Sequence, residues 1–388
     1  MKFNPYIVQE REYPLAVLQR IASELSESGK DIINLTVGDP KEKTYGPMKD
    51  RICEEVQKMV CSQYPKPDGE ASYLRAVSRW AQHAYGVNYD PKTQIISCNG
   101  TKEAIFSIPL LFDWTSNKQI FIPSLSYPVY ANAAGVMNIP VRYLPVSLET
   151  QFLPDLSALT PKDWSKCGIF WINSPHNPTT AIASAAYIKE LLDLADQYGF
   201  LVCSDECYND LYYESRPTSC LSYVNHDHFL VFRSLSKRSH MTGFRVGALI
   251  SPNTVLISQL RKMRAAMGVG TPTFIQNAAT LAWEDIVHPR NNIDDYRIKR
   301  DLIKPVLEAT GFRIFGGDAG FYFWLSHPDY PRSKQLSEWF LSHGILVTPG
   351  TAFGPDGEGY VRMIYCETEA IMNEVHHRIL GMSRVETK

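Results

Sequence analysis

The sequence lacks a long apolar run, a signal-peptide pattern and a strong charge of either sign. No apolar stretch approaches the roughly 20 residues that a membrane helix needs. The N-terminus has neither the apolar core nor the cleavage pattern of a signal peptide. The formal net charge of −2 gives no indication of a nucleic-acid partner or an anionic membrane. We therefore expect a cytoplasmic protein that binds neither nucleic acid nor membrane.

The cysteines also lack the spacing of a metal site. Eight cysteines are scattered from Cys53 to Cys366. Cys203 and Cys207 form a close pair, but no second pair accompanies them at the spacing of zinc ligands. We expect reduced thiols and no bound metal. The chain contains no internal repeat and no low-complexity tract either, which excludes a solenoid.

Length and hydropathy patterning predict two domains, the larger of the α/β class. A chain of 388 residues is longer than one hydrophobic core usually fills. In its middle part, short β-rich runs alternate with helical patterns, and Ser184 and Gly199 are placed to begin and end one helix. This alternation indicates βαβ units and a mostly parallel sheet. The predicted strands are Gln119–Pro123, Val141–Pro145, Gly168–Asn173, Phe200–Asp205, Phe229–Ser234 and Val246–Ser251.

The last hundred residues have a different pattern, with helices at both ends and short strands between them. We expect a smaller α+β domain of residues 1–39 and 286–388 beside a large domain of residues 40–285. The predicted elements are the helices Arg297–Thr310 and Glu367–Met382, the strands Phe321–Leu325 and Tyr360–Tyr365, and a loop at Gly350 and Gly354–Gly359.

A lysine follows the strand at residues 229–234, in the run SLSKR of residues 234–238. At the carboxyl end of a strand, Lys237 would lie on the ligand side of an open α/β sheet. Serines flank it and Arg245 follows, so it fits a Schiff-base lysine beside a phosphate site. A cation such as Arg245 would lower its pKa and favour the reactive amine. The alternative is a solvated lysine in a serine-rich loop.

Two further polar residues follow predicted strands. Asp205 ends an apolar strand, and a buried acid there needs a positive partner such as a protonated pyridine nitrogen. An aspartate that caps the next segment is an equal alternative. Asn177 lies in the turn NSPHNPT of residues 173–179, which would point its amide above the sheet. Ordinary turn chemistry explains the same residues.

Weaker signals lie at two other positions near the same sheet edge. Gly100, Thr101 and Lys102 open a helix, where free backbone N–H groups can bind a phosphate. An ordinary helix cap has the same sequence. Tyr127 could stack on a flat heterocycle, although a surface tyrosine in a turn is the alternative.

Arg362 is a charged residue within the apolar strand at residues 360–365. Burial of an arginine is costly unless it is paired. Its planar fork suits a carboxylate, including the α-carboxylate of an amino acid. An internal salt bridge is the alternative.

The joint order of these motifs resembles the class I aminotransferases, the pyridoxal-phosphate enzymes with the aspartate aminotransferase fold. The resemblance extends from about Leu35 to about Cys366, and the order of the motifs carries it rather than any single one. It implies fold type I, in which a mostly parallel seven-stranded sheet lies between helices in the large domain and a smaller α+β domain packs beside it. It also implies a homodimer.

The resemblance implies roles for the matching residues. Lys237 would hold pyridoxal 5′-phosphate as a Schiff base and shuttle the catalytic proton, while Asp205 would pair with the pyridinium nitrogen. Tyr208 and Asn177 would bind the phenolate oxygen. Arg362 would bind the α-carboxylate, under a closing loop that contains Gly38. The other cofactor contacts would be stacking by Tyr127 and phosphate binding by Gly100, Thr101, Lys102, Ser234, Ser236, Arg245 and, from the neighbouring subunit, Tyr64.

Two positions depart from the family pattern. Thr180 stands where the family usually has glycine after Asn-Pro-Thr, so we expect that turn to be shifted. The phosphate segment reads Gly-Thr-Lys rather than the commoner Gly-Ser, which keeps a hydroxyl at Thr101.

The resemblance implies transfer of an amino group between an α-amino acid and a 2-oxo acid, with glutamate and 2-oxoglutarate as one pair. The run at residues 234–247 is most similar to N-succinyldiaminopimelate aminotransferases, which favours an N-acyl-diaminopimelate substrate in lysine biosynthesis. Aspartate, alanine and aromatic aminotransferases are alternatives, as is a carbon–sulfur β-lyase with the same lysine, aspartate and arginine. A pyridoxal-binding transcription regulator would carry a DNA-binding module before the matching region, which begins near Leu35.

Overall fold

The computed structural model describes residues 1–9 and 14–383. Its strands, in chain order, are β1 (Ile33–Asn34), β2 (Ile95–Cys98), β3 (Gln119–Pro123), β4 (Val141–Leu144), β5 (Cys167–Asn173), β6 (Leu201–Asp205), β7 (Phe229–Ser234), β8 (Gly247–Ile250), β9 (Arg313–Phe315), β10 (Tyr322–Ser326), β11 (Ile345–Leu346), β12 (Thr348–Pro349) and β13 (Val361–Ile364). Its α-helices are α1 (Pro5–Gln9), α2 (Pro14–Glu27), α3 (Gly46–Gln57), α4 (Ala71–Tyr85), α5 (Thr101–Ser107), α6 (Val129–Val136), α7 (Pro161–Trp164), α8 (Ala185–Tyr198), α9 (Leu235–Arg238), α10 (Thr254–Met267), α11 (Thr273–Glu284), α12 (His288–Ala309), α13 (Ser333–Ser342) and α14 (Glu369–Ser383).

The large sheet has seven strands in the order β2-β8-β7-β6-β5-β3-β4. Its pairs from β4 through β7 are parallel, whereas β8 runs antiparallel to both of its neighbours. The six predicted strands are confirmed, and their observed ends differ by at most one residue. The prediction missed β2, the strand at one edge of the sheet. The expected α/β class and mostly parallel sheet are confirmed.

The helix α8 begins and ends where Ser184 and Gly199 predict. The Ser184 hydroxyl accepts a hydrogen bond from the backbone N–H of Tyr187 (3.1 Å), which caps the first turn. Gly199 ends the helix in the left-handed conformation (φ 68°) that glycine adopts without steric cost. The helix buries its apolar face, including Ile188 and Leu192, against the sheet.

A second sheet, in the order β12-β13-β10-β9, is antiparallel and has its own hydrophobic core. The predicted strands and closing helix of this region are confirmed within two residues. The helix α12 begins at His288 rather than at Arg297. The polar residues of its first turns hid the helical period, although Pro289 is typical of a helix start.

The N-terminal segment contacts both domains. β1 pairs with β11, which agrees with the prediction that residues 1–39 join the small domain. In contrast, α1 lies on α6 of the large domain, since Tyr6 donates to the Asn132 side chain (3.0 Å) and packs over Gly135. The domain limits stay a prediction, with residues 5–9 better grouped with the large domain.

The parallel topology brings the motif residues together. The strands β5, β6 and β7 are adjacent and parallel, so their carboxyl ends, at Asn173, Asp205 and Ser234, meet at one sheet edge. The small domain covers this edge. None of the described helices is long and apolar enough to cross a membrane. All eight cysteines are free thiols.

Candidate active site

A cavity of about 460 Å³ lies at this sheet edge, between the large and small domains. It collects most of the residues that the sequence singles out. The predicted residues that line it are Gly38, Thr101, Lys102, Tyr127, Asn177, Asp205, Tyr208, Ser234, Ser236, Lys237, Arg245 and Arg362.

Lys237 enters the cavity from the short helix α9, directly after β7. Its amine donates to the Gly38 carbonyl oxygen, so the N-terminal loop lies over it. Burial lowers the pKa of Lys237, and the cation that adds to this effect is Arg362. We expected Arg245 to do so, but its guanidinium points elsewhere and donates to the Thr242 carbonyl oxygen (2.9 Å). The low pKa favours the neutral, nucleophilic amine.

Asp205 is a buried carboxylate at the end of β6. It accepts hydrogen bonds from the Tyr130 hydroxyl (2.7 Å) and from the backbone N–H of Cys207 (3.3 Å). Burial raises its pKa. No lysine, arginine or histidine of the described chain forms an ion pair with it, so its carboxylate lacks the cation that burial demands. A protonated pyridine nitrogen would supply that cation.

Asn177 and Arg362 meet across the boundary between the domains. Arg362 Nη1 donates to Asn177 Oδ1 (2.7 Å), and its Nη2 donates to the Thr36 carbonyl oxygen (2.5 Å). Asn177 is held in turn by Asn173, whose side-chain oxygen accepts from its backbone N–H (2.6 Å). Arg362 is 2% exposed and, among the residues described, has no carboxylate partner. The salt bridge that we considered as an alternative is therefore not formed, and the guanidinium remains suited to a carboxylate ligand.

Tyr208 is hydrogen-bonded to Tyr322, hydroxyl to hydroxyl. Burial raises the pKa of Tyr208 well above its ordinary value, so it stays a neutral hydroxyl that can donate to an anionic oxygen. The sequence analysis missed Tyr322. The available signal was its place in β10, which pairs with the strand of Arg362. The Arg362 guanidinium carbon lies 4.6 Å from the centre of the Tyr322 ring.

The other end of the cavity is suited to a phosphate. The hydroxyl of Ser234 donates to that of Ser236 (2.9 Å), and Arg245 lies next to Gly100. A side chain at Gly100 would collide with Arg245, because a Cβ there would lie 2.1 Å from Nη2. With Thr101 at the start of α5, the site combines hydroxyl groups, a guanidinium and a helix N-terminus, which together bind oxyanions.

Lys102 and Tyr127 also face the cavity. Burial, and then the charge of Arg245, lower the pKa of Lys102. The ring of Tyr127 packs edge-on against Tyr130, with centroids 5.8 Å apart. Tyr130, in the first turn of α6, was not predicted.

Two predicted residues do not line the cavity: Gly100, which lies behind Arg245, and Tyr64, which is remote from it. Tyr64 is fully exposed and lines a separate groove together with residues 55–66 and Pro272–Phe274. Its predicted contact with the phosphate needs a second subunit and stays a prediction. The cavity contains other residues that we did not predict, namely Ala16, Gln19, Val37, Asp39, Ile105, Asn173, Cys207 and Thr242.

Thr180 has a φ of 59°, in the left-handed region that a glycine would favour, and Asn177 lines the cavity. The expectation that this turn is shifted relative to the family stays a prediction.

Comparison with known proteins agrees with this geometry. A family profile described as "Aminotransferase class I and II" matches residues 30–379. An LL-diaminopimelate aminotransferase of Nitratidesulfovibrio vulgaris (strain DP4) is 31% identical over 374 residues, which cover 95% of each chain. A solved aminotransferase from Neisseria meningitidis has a TM-score of 0.88 at 25% identity, over 98% of this chain and 100% of that one.

A structure described as a probable N-succinyldiaminopimelate aminotransferase from Thermus thermophilus shares the fold. Its TM-score is 0.85 at 22% identity, with 94% of this chain and 98% of that chain covered. The family match spans most of the chain, and the unpaired acid, the buried amine and the oxyanion site all suit the family's cofactor. The chain therefore belongs to the class I and II aminotransferases, enzymes that use pyridoxal phosphate to transfer amino groups.

Proposed function

We propose that the cavity between the domains is the active site, and that it exchanges an amino group between an α-amino acid and a 2-oxo acid. One observation carries this proposal. A buried carboxylate without a cation (Asp205), a buried guanidinium without a carboxylate (Arg362) and an amine of lowered pKa (Lys237) face the same cavity. A cofactor with a basic ring nitrogen and a substrate with a carboxylate would complete both unpaired charges.

The residues divide the work as follows. When bound, pyridoxal phosphate supplies an electron sink for the electrons of the broken Cα–H bond. Asp205 would keep the ring nitrogen protonated, and Tyr208 and Asn177 would donate to the phenolate oxygen. Lys237 would hold the cofactor at rest and, once released, would take the proton from the substrate α-carbon and deliver it to the cofactor's C4′ atom. The phosphate would be bound by Gly100, Thr101, Lys102, Ser234, Ser236 and Arg245, and Tyr127 would stack on the ring.

Arg362 determines which substrates enter. Its fork binds the α-carboxylate, and Asn177 orients the fork through the 2.7 Å hydrogen bond to Nη1. The loop at Gly38 lies over the amine. This arrangement restricts the substrate to α-amino and 2-oxo acids and leaves the distal end of the side chain to the outer wall of the cavity, near Gln19.

For that distal end we propose LL-diaminopimelate as the amino donor and 2-oxoglutarate as the acceptor. Support comes from relatives named LL-diaminopimelate aminotransferases, which match this chain at about one third identity over most of its length. This choice replaces the N-succinyl form that the run at residues 234–247 favours, because the structure that carries the N-succinyl name is only 22% identical and supports the fold alone.

We further propose a cytoplasmic homodimer. Tyr64 and Val60 are almost completely exposed beside a groove that Pro272 and Phe274 also line. A second copy that covers this groove would bury both side chains and bring Tyr64 to the partner's phosphate site. Sedimentation of the purified protein tests the assembly, and a Tyr64→Phe variant with weaker cofactor binding tests the shared site.

The deciding experiment is a screen of amino donors against the cofactor-loaded enzyme. LL-diaminopimelate, glutamate, aspartate, alanine and phenylalanine are added singly, and loss of the cofactor's long-wavelength absorbance is followed. We expect the highest kcat/KM for LL-diaminopimelate. Equal or faster reaction of aspartate or alanine would overturn the substrate proposal, and so would faster amination of N-succinyl-2-amino-6-oxopimelate in the reverse direction.

A further inference from the structure

Thr180 adopts a backbone conformation that a β-branched residue avoids. Its φ of 59° lies in the left-handed region, where the branched side chain crowds the backbone. The residue is also 3% exposed, so its side chain is enclosed by other parts of the protein. The surrounding structure must hold it there, and the contacts of its side chain explain how.

The Thr180 side chain joins the large domain to a glycine-rich loop of the small domain, residues 316–320. Its hydroxyl oxygen accepts a hydrogen bond from the buried backbone N–H of Gly317 (3.1 Å). Its methyl group lies against Gly320, and a Cβ at Gly316 would come within 1.9 Å of the hydroxyl oxygen. The loop therefore has no side chain where the threonine docks.

Both chain segments that meet at this contact carry residues that line the cavity. On one side, the turn that ends at Thr180 carries Asn177, and the Thr180 backbone N–H donates to the His176 carbonyl oxygen (2.6 Å). On the other side, the loop runs into β10 and Tyr322. The Gly317 carbonyl oxygen also accepts from Arg300 of α12 (2.9 Å), which ties the loop to its own domain.

We propose that Thr180 is a positioning residue. Its hydrogen bond holds the loop of residues 316–320 against the turn that carries Asn177, so that the Arg362 guanidinium is aligned with the substrate carboxylate. This inference rests on the proposed carboxylate site at Arg362. The bond from Arg362 to Asn177 and the bond from Gly317 to Thr180 cross the same boundary between the domains. Loss of the hydrogen bond from Gly317 to Thr180 releases the loop of residues 316–320 and weakens carboxylate binding. The position and the chemistry of Lys237 do not change.

The test compares three variants that separate the hydroxyl, the methyl group and the backbone conformation. Thr180→Val keeps the branched shape and removes the hydroxyl. Thr180→Ser keeps the hydroxyl and removes the methyl group. Thr180→Gly removes both but adopts the left-handed conformation freely. We expect KM for the amino acid to rise roughly three- to tenfold in the Val and Gly variants, as for a lost buried hydrogen bond.

Two further readouts distinguish positioning from general damage. The kcat of all three variants should stay within about twofold of the parent, because the transition-state contacts are unchanged. Hydrogen–deuterium exchange of the protein without substrate should quicken at residues 316–322 in the Val and Gly variants. The Ser variant should match the parent in both measurements.

Several outcomes would overturn the inference: an unchanged KM in both the Val and Gly variants, a fall in kcat at constant KM, or a Ser variant as impaired as the Val variant. If the Val variant does not fold, KM of the Gly variant decides, because glycine adopts the left-handed backbone conformation without strain. Arg362→Gln separates this inference from the proposed function. If it leaves KM unchanged, the carboxylate site itself is wrong; if it raises KM and neither Thr180→Val nor Thr180→Gly does, only the role of Thr180 fails.

Discussion

Two clusters of buried charge lie side by side at the end of β6, and they are built differently. Asp205 faces the cavity and has no cation, whereas Glu206, the next residue, faces a cluster with Arg233 and Asp210. There Arg233 lies 3.3 Å from Glu206 and 2.9 Å from Asp210. Burial raises the pKa of Asp205, while for Asp210 the charges of Arg233 and Arg216 outweigh burial and lower the pKa.

The charges of the paired cluster stabilise the fold, whereas the charges in the cavity are available to a ligand. In the paired cluster, Arg233 offsets two carboxylates of the same chain, so its removal leaves Glu206 buried without a cation. In the cavity, Asp205 and Arg362 form hydrogen bonds but no ion pair with a described residue, so their desolvation is only partly offset. Substitutions in the first cluster should therefore lower stability, and substitutions in the second should lower activity.

The largest expected effect is at Lys237. Lys237→Ala should reduce transamination roughly 10⁴-fold or more, because it removes both the group that holds the cofactor and the catalytic base. Steady-state assays with excess cofactor measure it. Lys189→Ala is the matched control, since that lysine is exposed and paired with Asp193 on the surface of α8. Turnover within tenfold of the parent in Lys237→Ala would contradict the proposed active site.

The second largest effect is expected in the paired cluster of Glu206, Asp210 and Arg233. Arg233→Met should lower the free energy of unfolding by about 3–5 kcal/mol, because Glu206 loses its buried cation, while Asp210 keeps only Arg216 and Arg238. Urea denaturation measures the change. KM of the folded fraction should stay at the parent value. A loss below about 1 kcal/mol, the size typical of exposed pairs, would show that the cluster does not hold the fold together.

Arg362→Met should have the opposite profile. We expect kcat/KM for α-amino acids to fall roughly 100-fold, as the bidentate carboxylate contact is lost. The free energy of unfolding should stay the same or rise by about 1 kcal/mol, since an unpaired buried charge is replaced by an apolar side chain. A stability loss as large as that of Arg233→Met would abolish the distinction between the two clusters.

The smallest effect concerns His176, which is buried in the neutral form beside Asn177. Burial lowers its pKa from 6.5 to about 4. Between these values the unfolded chain binds a proton that the folded chain does not, so stability is complete above pH 6.5 and falls as the pH falls towards 4. From pH 7 to pH 5 this group alone should remove about 2 kcal/mol.

The His176 prediction is measured as a difference between two proteins. His176→Gln removes the titrating ring, so its stability should fall less between pH 7 and pH 5 than that of the parent. His240 and His288, whose pKa values burial also lowers, remain in both proteins and cancel. Parallel pH profiles would show that folding does not change the pKa of His176. In the neutral ring Nε2 donates to the Leu125 carbonyl oxygen (3.1 Å), which leaves Nδ1 to accept from the Thr179 hydroxyl (2.8 Å).

Much of the fold was predictable because its signals are local. The apolar runs of β3, β5, β6 and β7 and the caps of α8 identified elements to within one residue. The strand β2 was missed, and so were the first turns of α12, where the pattern is polar. The candidate site was predictable where a motif follows a strand, as at Asp205 and Lys237. It was not predictable where a residue reaches the cavity from a distant element, as Tyr322 and Gln19 do.

By itself, the sequence determined the strands, the caps, the order of the motifs and hence the family and its cofactor, because these depend on neighbours within a few residues. Only the tertiary structure decided which buried charges are paired. Arg362 and Arg233 both lie in apolar strands and look alike in sequence, yet Arg233 meets two carboxylates, whereas Arg362 meets an amide and a carbonyl oxygen. The electrostatic environment of a buried charge depends on side chains brought from distant parts of the chain, and no local pattern contains that information.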